Sequence, residues 1–166
     1  MPKTRYDELR EASVHTRDLL ENYEVECRDF IRQLRTELAS YLECPVSRIE
    51  WLQFSESEPE EKRRAKDVID VTLDRRMALQ DNAFYQFAFK IVFDVGWVSL
   101  SLTVKQVDGH FIVDLGDHER KLRQDNQDDL QQLLEHLFDL TKEYLETDFA
   151  NFVHGKPSRL GFRVSQ

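Results

Sequence analysis

The chain has 166 residues, 40% of them hydrophobic and 33% charged, with a formal net charge of −9. That length suits one domain able to bury roughly two-thirds of its unfolded surface. The acidic balance makes free nucleic acid a poor partner, because affinity there rests on neutralised phosphates. No apolar run nears the ~18 residues of a membrane helix. The start, Met1 to Glu8, lacks the apolar core of a signal peptide, so a cytoplasmic location is the expectation.

Thr4 is placed to cap a first helix, with Asp7 and Glu8 in its first turn. Leu20, Tyr23, Cys27, Phe30, Ile31, Leu34, Leu38, Tyr41 and Leu42 then recur at three- and four-residue spacing. This predicts one long amphipathic helix whose weakest point, where a break is expected if there is one, lies near Ser13 to Thr16. Pro45 ends it, since the residue before a proline is pushed out of the helical region. Ile49 to Phe54 reads as a short strand, although Ser47 and Glu50 also have capping-box spacing. Ser55 to Lys66 runs acidic then basic and reads as a solvated loop. Val68 to Leu73 alternates, and Arg75 to Asn82 leads on to the main sheet.

The clearest pattern spans Ala83 to Leu115. Tyr85, Phe87, Phe89, Ile91 and Phe93 share one parity, and so do Val98, Leu100, Leu102 and Val104. A period of two means one buried sheet face and one wetter face. A two-residue loop at Val95-Gly96 predicts Phe89 opposite Leu102, Phe87 opposite Val104 and Phe84 opposite Val107. A loop at Asp108-Gly109, the favoured type I′ pair, predicts Val104 opposite Val113 and Leu102 opposite Leu115. Gly116-Asp117 can start one more hairpin into His118 to Leu122, although this puts Arg120 on the apolar side.

A second helix is predicted from Asn126 to Thr147, capped by Asp125 or Asn126. Leu130, Leu133, Leu134, Leu137, Leu140, Tyr144 and Leu145 form its apolar stripe. Between Asp125 and Asp148, Lys142 is the one cation among many acids. In the tail, Leu160, Phe162 and Val164 alternate with Arg159, Gly161 and Arg163. Such a strand pairs with an edge of its own meander or with the sheet of a second copy.

The chemistry is sparse. Cys27 and Cys44 lie about 25 Å apart if the stretch between them is helical, so they read as free thiols and match no zinc pattern. There is no HExxH, no GxSxG, no Walker loop and no GxGxxG, so neither a metal site nor a cofactor site is indicated. The five histidines are not held near carboxylates by spacing. Asp67, Asp70 and Asp74 with Lys90 give a generic basis for a metal-dependent hydrolase or nuclease with a dispersed site. Two surfaces carry the interaction readings. Asp128, Glu135, Asp139, Glu143 and Glu146 form one acidic helix face, either simply solvated or a dock for a basic protein. Phe84, Trp97, Val107 and Ile112 lie on the outer sheet face, either covered internally or a contact patch.

The expectation is therefore an α+β fold: an antiparallel meander of about five strands with long amino- and carboxy-terminal helices on its apolar face. Residues 1–45 are helical, 46–122 mainly β, 123–148 helical and 149–166 a tail. The absent site chemistry and segregated charge point to a non-catalytic protein-binding module such as an adaptor, specialised chaperone or immunity-type inhibitor. A regulator that mimics nucleic-acid charge is a third reading, and homo-oligomers are compatible with all three.

Overall fold

The computed structural model describes residues 3–53, 66–67, 78–79, 83–94, 96–116, 118–154 and 162–163. Helix α1 spans Arg5–Tyr41. Thr4 caps it with a reciprocal capping box: the Asp7 backbone N–H donates to Thr4 Oγ1 at 3.1 Å, and the Thr4 backbone N–H donates to Asp7 Oδ2 at 3.0 Å. The helix does not break at Ser13 to Thr16. The Thr16 hydroxyl donates to the Ala12 carbonyl at 2.9 Å, which satisfies the side chain without opening the backbone.

After a 3-10 turn, Val46–Arg48, strand β1 covers Ile49–Gln53. Arg35 ties this corner to α1: Nε donates to the Ile49 carbonyl at 2.6 Å and Nη2 to the Val46 carbonyl at 3.2 Å. The short strands β2, Lys66–Asp67, and β3, Ala78–Leu79, follow. Lys66, expected at the end of a loop, is thus in a strand; the rest of the loop predicted at 55–66 and all of the strand predicted at 68–73 lie outside the described residues. Then come β4 Tyr85–Phe93, β5 Gly96–Val107, β6 His110–Asp114 and β7 Glu119–Arg123. Helix α2 runs Gln127–Val153, and β8 is Phe162–Arg163. The architecture is α+β.

All pairing among the described strands is antiparallel, in the order β2-β1-β4-β5-β6-β7, with β3 beside β4 and β8 beside β5. The β4–β5 register corrects the sequence reading. Phe93 pairs with Gly96, so Phe89 lies opposite Leu100, Phe87 opposite Leu102 and Tyr85 opposite Val104. Gly96 is the first residue of β5 rather than part of the turn. A shift of two residues keeps every side chain on its own face, so alternation alone does not separate the two registers.

The second hairpin follows expectation, with Val104 opposite Val113. Its ladder stops at Asp114. Leu115, expected opposite Leu102, instead donates its N–H to the His118 carbonyl and closes the β6–β7 turn. Gly116 in that turn has φ +92°, which disfavours any side chain. Arg120 lies opposite Val113, as its position requires, and is only half-buried.

The tail strand joins its own sheet. Phe162 pairs with Val98 and Arg163 with Trp97 on the flank of β5 that β6 leaves open.

One buried cluster unites both helices with the sheet. Cys27, Phe30, Ile31, Leu34 and Leu38 of α1 meet Phe87, Phe89, Leu100 and Val113 of the sheet and Leu130, Leu133, Leu134 and Leu137 of α2. Phe30 stacks on Phe111 with ring centroids 4.2 Å apart. Leu52 and Ala88, paired across β1 and β4, form a separate buried pair of opposite parity.

Candidate interaction surfaces

The acidic face of α2 is formed as the helical period dictates. Leu130, Leu133, Leu134, Leu137 and Tyr144 are buried on one side, and Asp128, Glu135, Asp139, Glu143 and Glu146 are all exposed on the opposite one. Asn126 starts the helix, its Oδ1 accepting from the Asp129 backbone N–H at 2.9 Å. Lys142 leans toward Glu146 at 3.8 Å. Asp129, in the same run, does not belong to the open face: Arg123 holds it and brings its carboxyl down to about 2.

The four residues of the outer sheet face do not make one apolar patch. Phe84, Trp97, Val107 and Ile112 are each half-buried, and lysines interleave them. The Lys90 ammonium lies 4.8 Å from the Trp97 ring centre and that of Lys105 lies 5.6 Å from Phe84. Ile112 pairs with Lys105 on one side and Lys121 on the other. Phe84 and Val107 are not opposite one another. The two-residue register shift places Phe84 against Lys105, and Val107 pairs with His110 in its own hairpin.

A surface not foreseen from the sequence lies where the end of α1 meets α2 and the end of β4. A groove of about 150 Å³ has Leu38, Leu42, Ile91 and Leu137 inside it. Phe93, Phe138 and Leu145 line it too and remain 39%, 39% and 44% exposed. The volume is below the ~300–1,000 Å³ usual for small-ligand pockets, so it suits an anchoring side chain. Phe138 lies between the buried stripe and Glu135, and Leu145 adjoins Glu146, so the groove borders the acidic face. The sequence held a signal for it. Phe93 ends its strand and Phe138 falls outside the leucine stripe, yet both are large and apolar.

A second, polar cleft of about 200 Å³ lies between Glu26, Asp29 and Phe30 of α1 and the Arg123–Gln127 turn. Elsewhere two histidines distant in sequence meet: His118 and His136 have ring centroids 6.0 Å apart. Burial, then Arg120 and His118, lower the His136 pKa against the opposing pull of Asp139.

Cys27 is buried and free, and burial pushes its thiol up to about 11, so it is no ready nucleophile. Cys44 is free and half-buried. Of the acids proposed for a dispersed metal site, Asp70 and Asp74 lie outside the described residues. The described residues hold no cluster of three or more histidine, cysteine, aspartate or glutamate side chains with the spacing of a metal site. No described helix is long and apolar enough to cross a membrane. The chain matches no protein-family model, no curated protein and no solved structure.

Proposed function

We propose that this protein is a non-catalytic binding module that holds an amphipathic, basic segment of a partner protein across α2. The supporting observation is the junction of two surfaces of different chemistry: the apolar groove opened by Phe93, Phe138 and Leu145, and the exposed acids Glu135, Asp139 and Glu146 beside it. An amphipathic helix laid there seats its apolar side chains in the groove, as helix-in-groove recognition does. Its cations face the acids, which speeds encounter and fixes orientation more than it adds affinity.

The test uses a labelled helical peptide of about 18 residues, five turns of leucine and lysine, and its leucine–glutamate counterpart. The lysine peptide should bind and the glutamate peptide should not. Phe138→Ser with Leu145→Ser should weaken binding about tenfold or more, as loss of an anchor pocket does. Glu135→Lys with Asp139→Lys and Glu146→Lys should slow association and flatten its salt dependence. Binding that ignores the Phe138 and Leu145 substitutions would mean charge attraction without a site, and the reading would fail.

A further inference from the structure

The first half of α1 leaves the body of the protein. Every residue from Glu8 to Asn22 is exposed, and contact with the core begins only at Tyr23 and Cys27. Roughly four turns, about 22 Å of helix, therefore stand without tertiary support from the other described residues. Isolated helices of this length are marginal in water, because packing of an apolar face supplies most helix stability. The arm does carry such a face. Tyr6 is 72% exposed, Leu9 70% and Leu20 52%.

Those three share one face, with Leu19 flanking it and Val14 and Val25, also exposed, on another. Tyr6, Leu9, Ser13, Thr16, Leu20 and Tyr23 alternate three- and four-residue steps, the spacing of a coiled-coil seam. The seam continues into the buried positions Cys27, Phe30 and Leu34. It also reads the same in both directions: tyrosine, leucine, small hydroxyl, small hydroxyl, leucine, tyrosine. Two copies laid antiparallel about the point between Ser13 and Thr16 match Tyr6 with Tyr23, Leu9 with Leu20 and Ser13 with Thr16 of the other copy.

The Thr16 hydroxyl already donates to the Ala12 carbonyl, so Thr16 brings no unpaired donor to the central layers. A polar layer of this kind fixes register.

The flanking charges favour the same orientation. Antiparallel packing brings Arg5 toward Glu26 of the second copy; Lys3 and Glu24, which also approach, are already paired within their own chains with Glu11 and Arg28. A parallel, in-register pair instead sets Arg5 against Arg10 and offers no attractive flanking pair. The antiparallel arrangement does bring Arg10 near Arg17 of the second copy, but Glu21 already neutralises Arg17 within its own helix at 2.8 Å.

We infer that the amino-terminal half of α1 is a self-association arm, forming an antiparallel two-helix seam with the same segment of a second copy of this chain. This surface is separate from the α2 groove and does not depend on the function proposed for it.

Sedimentation equilibrium of the full chain across micromolar concentrations should give twice the chain mass. Leu9→Asp with Leu20→Asp should return it to the single-chain mass and lower the helical circular dichroism. The near-ultraviolet signal of the body should stay unchanged, since both positions are exposed in the single chain. Orientation is read by oxidising Leu9→Cys and Leu20→Cys chains in a Cys44→Ser background. The antiparallel seam cross-links the two variants when mixed and neither alone, because like positions lie about 16 Å apart along the axis. A wild-type monomer at every concentration, a dimer that survives the double aspartate variant, or cross-links between like positions would each overturn the inference. A different protein co-purifying in place of the second copy would do so too.

Discussion

Arg123 locks the last meander strand to the first turn of α2 through Asp129. Its Nε donates to Asp129 Oδ2 at 2.9 Å, its Nη2 to Oδ1 at 3.0 Å, and its backbone N–H also to Oδ2 at 2.9 Å. One carboxylate thus accepts a bidentate guanidinium and a main-chain donor, at the point where the chain turns from sheet to helix. Asp129 also lies at the positive end of the α2 dipole.

This pair makes an acid-limb prediction. The side-chain and backbone bonds from Arg123 hold the Asp129 pKa at about 2, against its ordinary 3.8. A depressed folded-state pKa means stability that is present above about pH 4 and is lost as pH falls through about 2. Asp129→Asn should lower Tm at neutral pH and flatten the fall in Tm across that window. Both acid limbs having the same slope would show that the pair contributes nothing to folding. The pair is solvent-exposed on the Arg123 side, so high salt should shrink the difference.

An alkaline limb comes from the place where α1 first meets the sheet. The Tyr23 hydroxyl donates to the Ala83 carbonyl at 2.5 Å and accepts from the Gln106 backbone N–H at 3.4 Å. Burial raises Tyr23 to about 12 and Cys27, one turn on, to about 11. Raised folded-state values mean stability that is whole below about pH 9 and is lost as pH climbs through 11 and 12. Tyr23→Phe should cost about 1 kcal/mol at pH 7 for the lost hydrogen bond and make the alkaline limb shallower. In the native protein Cys27 should react with a thiol reagent far more slowly than Cys44. In denaturant both should titrate fully. Equal native rates would contradict the burial of Cys27.

The core prediction rests on Phe89. It is fully buried, with Trp51 at 5.1 Å and Phe87 at 5.3 Å between ring centroids. Phe89→Ala should cost roughly 3–5 kcal/mol by urea unfolding, at an unchanged denaturant slope. A cost under about 1 kcal/mol would mean the site collapses around the loss, as a well-packed cross-strand row does not.

Which parts of this fold were legible in the chain follows from what each pattern can encode. Parity is encoded, so Phe87, Phe89, Leu100 and Leu102 were all assigned to the buried face, where they are. Register is encoded only modulo two, and it was lost at Val95-Gly96 because a glycine suggested the turn itself. At Asp108-Gly109 the glycine does take a positive φ of +73°, and there the expected pairing of Val104 with Val113 forms while that of Leu102 with Leu115 does not. The acidic face of α2 was legible because 3.6-residue periodicity places its members together.

Phe93 at a strand end and Phe138 off the leucine stripe stand out in the chain as large apolar residues, but the groove itself is not legible, because it joins Leu38, Ile91 and Leu137 from three elements whose meeting no local pattern records. The free arm of α1 was missed for a related reason. A seam interrupted by Ser13 and Thr16 looks weak beside the leucine-rich half, and only the exposure of its apolar members marks it as unsupported.

The tail gives the last prediction. β8 pairs Phe162 with Val98 and Arg163 with Trp97, next to the β5 residues Thr103–Val107 that β6 occupies. Terminal segments fray unless something ties them down, and two ladder positions are a small tie. They do cover backbone groups on β5, which would otherwise form a stretch of open sheet edge. Deleting residues Ser158 to Gln166 should therefore lower Tm modestly and leave the mass in solution equal to that of the full chain. Amide exchange should speed up at Trp97 and Val98 and stay slow at Val104, which β4 and β6 still hold from both sides. Unchanged exchange at Trp97 and Val98 would show that β8 does not stay docked in solution. A change in mass would instead place the strand in the sheet of another copy.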